Sequence, residues 1–109
     1  YRDFFSYVGA NLSARLTAPG VCAALGLSYE SFRRRFRDDN GVTLHQYVHG
    51  RLIRQAAQLL LMTDLTVQQI AGQLGFQDEF YFSRLFKQKM AYSPREYRRI
   101  NALLRQKDV

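Results

Sequence analysis

One stretch of this 109-residue chain is written twice, which confines the fold to architectures that use one small unit two times. The segment TAPGVCAALGL at residues 17–27 returns as TVQQIAGQLGF at residues 66–76. Thr, Leu and Gly are identical, and Val21/Ile70, Cys22/Ala71 and Leu27/Phe76 are like for like. After one inserted residue the match resumes with Phe32/Phe82, Arg34/Arg84, Phe36/Phe86, Arg37/Lys87, Thr43/Ser93 and Tyr47/Tyr97. Each copy reads as helix, tight turn, helix. Thr66 and Gln69 have the spacing of a capping box, so a helix starts there. Val67, Ile70, Ala71 and Leu74 supply its apolar stripe. Gly75 follows, and Gly26 in the first copy, where a left-handed residue ends a helix without steric cost. The next helix carries Phe32 and Phe36, or Phe82, Leu85 and Phe86, on one face. Two short helices around a glycine-containing turn form a helix-turn-helix.

Between the copies, Thr43 and Gln46 open a long helix with Leu44, Tyr47/Val48, Leu52, Ala56 and Leu59/Leu60 as its stripe, ending near Met62. About 20 helical residues extend roughly 30 Å. Successive major-groove faces on one side of B-DNA lie about 34 Å apart. Ser93, Pro94 and Glu96 form the start of a last helix, with Tyr97, Ile100 and Leu103/Leu104 as its expected buried face. A first helix, roughly 3–12, offers Phe4, Val8 and Leu12. The expectation is an all-α fold of seven helices. A first helix-turn-helix subdomain takes residues 1–42, a linker helix 43–63 and a second subdomain 64–109.

Sixteen Lys and Arg against nine Asp and Glu give a net charge of +7 and favour a polyanionic partner. The excess is uneven. Residues 65–109 hold eight basic and four acidic side chains, whereas the central arginines are balanced locally by Glu30, Asp38 and Asp39. Cys22 is the sole cysteine, which excludes an intrachain disulfide and points to a reducing compartment. The apolar run at residues 59–62 is too short to span a bilayer, and the N-terminal residues lack the layout of a signal peptide. Without an initial Met the chain reads as a piece of a longer protein.

The stretch TVQQIAGQLGFQDEFYFSRLFK at residues 66–87, continuing to YSPREYR at 92–98, resembles the AraC/XylS family of bacterial transcription regulators. The resemblance covers about residues 13–99. It implies seven helices with two helix-turn-helix units joined by a long helix, and a double-stranded DNA partner. It also implies an effector-binding or dimerisation domain elsewhere in the chain. Activation through RNA polymerase is common in the family, and repression occurs too. A cytoplasmic, nucleoid-associated location follows, with neither cofactor nor metal. Three features depart from the pattern. Ala91 stands where glycine is usual, Phe80 where a small polar residue is usual, and Arg51 and Leu52 fall out of step with Ala56.

With Phe32 and Phe36 turned to the core, Tyr29, Glu30, Arg33, Arg34 and Arg37 are expected on the opposite face. Glu79, Phe80, Ser83, Arg84 and Lys87 are expected on that of the second unit. Early residues of such helices reach base edges, and Arg33, Arg34 and Arg84 suit guanine O6 and N7. Glu30 and Glu79, read as counterparts, suit cytosine N4, the orientation of a neighbouring arginine, or the helix dipole. Phe80 suits a thymine methyl or partial burial against another helix. Arg37, Lys87, Lys89 and Arg98 suit phosphates.

Other functions fit less well. His45 and His49 have the spacing of a zinc-protease pair, but Gln46 replaces the general base and no third ligand is evident. Cys22 occupies a small apolar position of the repeat and lacks the basic surroundings of a reactive thiol. Arg95, Arg98, Arg99, Arg105 and Lys107 of the last helix would equally serve an RNA or membrane surface.

Overall fold

The computed structural model describes residues 1–107, with side chains through residue 104. Seven helices follow one another: α1 (Arg2–Ala10), α2 (Ala18–Ala24), α3 (Tyr29–Asn40), α4 (Leu44–Met62), α5 (Val67–Gln73), α6 (Glu79–Met90) and α7 (Pro94–Lys107). Among the described residues there is no strand. The chain divides into two compact units, Tyr1–Leu52 and Ile53–Val109, so the boundary falls inside α4.

In the first unit, Phe4 and Val8 of α1, Val21 and Cys22 of α2, Phe32 and Phe36 of α3, and Leu44 and Val48 of α4 are buried together. The Phe4 ring lies 5.2 Å from Phe32 and 5.4 Å from Phe36, centroid to centroid, within the range of favourable tilted aromatic pairs. α1 is therefore a lid on the helix-turn-helix. It is shorter than its apolar spacing predicts, because Asn11 leaves the helix at φ −127°.

In the second unit the buried side chains are Ile53, Ala56, Ala57 and Leu60 of α4, Ile70 and Ala71 of α5, Leu74 and Phe76 of the turn that follows, Phe82 and Phe86 of α6, and Pro94. Phe76 packs 5.0 Å from Phe82, and Phe86 packs edge-on to Tyr97 at 5.4 Å.

The helix starts are set by side chains. Thr66 Oγ1 accepts from Gln69 N–H at 3.0 Å while Gln69 Oε1 accepts from Thr66 N–H at 2.9 Å. Thr43 and Gln46 repeat that exchange, both bonds at 3.0 Å, and Ser93 Oγ accepts from Glu96 N–H. The turns close alike in both units. Gly26 and Gly75 stand at φ 69° and 88°. Leu27 N–H returns to Cys22 O and Phe76 N–H to Ala71 O, satisfying carbonyls that a helix end leaves open.

Two expectations need correction. Leu103 and Leu104 are 51% and 54% exposed, because Tyr97 and Ile100, both half-buried, are the last large apolar residues of α7 to pack. The linker helix also buries Ile53 and Ala57, one position beyond the predicted Leu52 and Ala56, so its apolar stripe is wider there.

Candidate nucleic-acid interface

α3 and α6 are the second helices of the two units and their registers can be compared residue by residue. Both begin one residue after a cap, Ser28 for α3 and Asp78 for α6, and both run twelve residues. The inserted residue of the repeat thus falls before the cap. Tyr29 corresponds to Glu79, and Glu30 corresponds to Phe80. Glu30 and Glu79 are not counterparts; pairing them carried the earlier offset past the insertion.

The same register relocates two predicted contacts. Tyr29 precedes Phe32 by three residues, which on a helix puts both on one side. It packs half-buried against the core cluster rather than opposite it. Glu79 stands in the same relation to Phe82 and is likewise half-buried. The outward face of α3 is instead formed by Glu30, Arg34 and Arg37, all exposed, with Arg33 at its flank. On α6 it is formed by Phe80, Arg84 and Lys87, all exposed, with Ser83 at its flank and Lys89 exposed in the last turn.

Glu30 takes up the orienting role among those open to it. Its Oε2 accepts from Arg33 Nε at 3.1 Å and Nη2 at 2.9 Å. One arginine of the cluster is tethered, and Arg34 projects free of that pair. Glu30 also sits in the first turn of α3, where a negative charge is favourable. Phe80 resolves the other way from burial, with 69% of its surface exposed.

Arg98 is engaged elsewhere. Its Nε donates to Leu60 O at 3.0 Å and its Nη2 to Thr63 O at 3.2 Å, so the guanidinium caps the C-terminus of α4. Cations are favoured at that end of a helix. Arg51 donates from Nη1 to Tyr47 Oη at 3.3 Å within the first unit. The side chains of Arg105 and Lys107 lie outside the described residues.

Cys22 is fully buried and burial pushes its thiol above the ordinary range, which suits packing rather than chemistry. The rings of His45 and His49 pack tilted against each other with centroids 4.1 Å apart. No group of three or more metal-ligating side chains occurs among the described residues. None of the described helices is long and apolar enough to cross a membrane.

Asp78 escaped the sequence reading. Its Oδ1 accepts from Phe80 N–H at 2.8 Å and fixes the first turn of α6. The signal was present, since Asp is a preferred N-cap and stands directly before the helix.

Two solvent-facing basic helix faces, each backed by a phenylalanine pair and preceded by a short helix and a tight turn, define a tandem helix-turn-helix DNA-binding domain. Residues 21–100 match a family described as "Helix-turn-helix domain". The xylose operon regulatory protein of Escherichia coli K12 is 32% identical over 82 residues, covering 75% of this chain and 21% of that protein. The HTH-type transcriptional activator RhaR of Klebsiella pneumoniae is 36% identical over 93 residues, covering 82% and 33%. Among solved structures, the DNA-binding domain of the global transcriptional factor AdpA, in complex with a target DNA, superposes with a TM-score of 0.85. It shares 25% identity, covering 96% of this chain and 95% of that one. The chain belongs to the AraC/XylS family of helix-turn-helix DNA-binding domains, a family of transcription regulators rather than enzymes. It spans between a fifth and a third of the length of the curated regulators just named.

Proposed function

We propose that the chain reads duplex DNA sequence-specifically, with α3 and α6 entering successive major grooves as the DNA-reading part of a bacterial transcription regulator. The supporting observation is the pair of exposed faces at equivalent positions, Glu30, Arg34 and Arg37 on one helix and Phe80, Arg84 and Lys87 on the other. Arg34 and Arg84 are the leading candidates for guanine, each worth about 1–3 kcal/mol of discrimination, with Arg33 beside Arg34 and Ser83 beside Arg84. Arg37, Lys87 and Lys89 serve phosphates, which set position without reading sequence. Tyr29 and Glu79 sit half-buried on the inner side of these helices, and Arg98 caps α4. The working division is 1–42, 43–63 and 64–109.

The rest of the regulator supplies effector binding or dimerisation, and the whole acts in the bacterial cytoplasm on the nucleoid. Activation, as in the name of RhaR, through contact with RNA polymerase is the favoured mode. Selection from a random duplex library, followed by footprinting, tests the reading. Arg34→Ala and Arg84→Ala are expected to weaken two groups of base pairs about one turn, or roughly 10 bp, apart. Failure to enrich any ordered duplex site would sink it.

A further inference from the structure

The second residue of each DNA-reading helix differs in kind between the units: Glu30 in α3, Phe80 in α6. Glu30 is occupied in holding Arg33. Phe80 is 69% exposed, and no ring stacks on it among the described residues. Rotation to the core is closed to it. Phe80 lies two residues before Phe82, on the side of α6 away from the buried pair, and the Asp78 cap holds its N–H at 2.8 Å. Phe80 lines one shallow recess with Val67, Ser83 and Pro94, where Glu79 and Arg95 bring one charge of each sign. Arg84 lies one turn further along the same face. An apolar ring therefore stands exposed at the leading end of α6, with Arg84 one turn along on the same face and the Asp78 and Glu79 carboxylates at the positive end of the helix dipole.

That setting fits one small apolar group carried on a polyanion. In the major groove the thymine C5 methyl is the apolar feature that distinguishes base edges. We infer that Phe80 is a methyl-reading residue, selecting a 5-methylpyrimidine within the half-site of the second unit, near the base read by Arg84. This rests on the DNA-binding reading above. The first unit, with Glu30 at the same place, has no such preference from this position.

The test uses a duplex selected from a random library with the wild-type chain. Each thymine is replaced singly by deoxyuracil, which removes the methyl and keeps the pairing. For the wild type, one replacement in the second unit's half is expected to weaken binding about fourfold, the transfer value of one buried methyl-sized group. Cytosine placed there is expected to bind about fourfold less well than 5-methylcytosine, for the same reason. Phe80→Ala, with its fold checked by circular dichroism, is expected to bind the thymine and deoxyuracil duplexes alike. The inference is overturned if the wild type is indifferent to every replacement. It is equally overturned if the second half contains no thymine, or if Phe80→Ala keeps the preference. A selection that enriches no site overturns the DNA reading as well, whereas an enriched but methyl-indifferent site removes only this inference.

Discussion

Replacing Ala91 by Gly is expected to stabilise the protein, although it removes atoms and adds no contact. Ala91 ends α6 at φ 72° and ψ −11°, with its N–H bonded to Lys87 O at 2.8 Å. A non-glycine residue in the left-handed region costs roughly 1–2 kcal/mol from the clash of Cβ with its own backbone. Glycine removes that strain but also loosens the unfolded chain, offsetting about 0.4–1 kcal/mol. The net gain is about 0.5–1 kcal/mol, or roughly 2–8 °C in the melting of a unit of this size. The first unit supplies the mirror experiment. Gly41 ends α3 at φ 76° and ψ −1°, and a Cβ built there meets nothing within 4 Å. Gly41→Ala is therefore expected to destabilise by a similar amount for backbone reasons alone. Thermal and urea unfolding followed by far-ultraviolet circular dichroism measure both. An Ala91→Gly midpoint that stays or falls while Gly41→Ala falls would refute the strain argument. It would mean that the Ala91 methyl contributes stabilising contact of its own.

Arg98→Ala is expected to lower stability by about 1.5–3 kcal/mol through loss of charge-assisted bonds to Leu60 O and Thr63 O. The salt dependence of DNA binding should barely move, whereas Lys87→Ala should reduce its slope by about one phosphate contact. Equal slope changes for the two variants would return Arg98 to the phosphate set. Glu30→Gln is expected to free Arg33, strengthen binding to non-specific duplex and steepen the salt dependence, all read by titration at several salt concentrations. An unchanged slope would mean that the pair does not restrain Arg33. Burial raises the Cys22 thiol, so the folded state favours the protonated form. The stability this contributes is complete below the unfolded thiol's value and is lost as pH rises from about 8.5 towards the folded one. Urea midpoints from pH 7 to 10 should decline in the wild type more than in Cys22→Ala; parallel declines would clear the thiol.

Features decided within a few residues of chain were legible in the sequence. The Thr66–Gln69 exchange and the Gly26 and Gly75 turns follow from local backbone chemistry. So does the burial of Phe32, Phe36, Phe82 and Phe86, which i, i+4 spacing dictates. Ala91 was marked only by standing where the resembled family has glycine. What escaped depends on partners distant in sequence or on register. No local pattern reveals that Arg98 reaches back to Leu60 and Thr63, or that α7 stops packing after Ile100. The site was half legible. Arg34, Arg37, Phe80, Arg84 and Lys87 emerge on the outward faces, while Tyr29 and Glu79 do not, because residues three before a buried phenylalanine share its side. Glu30 was open among three roles, and its bonds to Arg33, which make the orienting one visible, depend on side-chain geometry that spacing alone does not fix.

The Arg98 cap bears on how the chain is made. The last carbonyls of α4 leave the ribosome about 35 residues before the guanidinium that will satisfy them, so water must serve in the meantime. The first unit, Tyr1–Leu52, draws its compact packing from residues that precede the end of α4. A nascent chain therefore completes its two readers in order. The second stays frayed at its entrance until its final helix emerges.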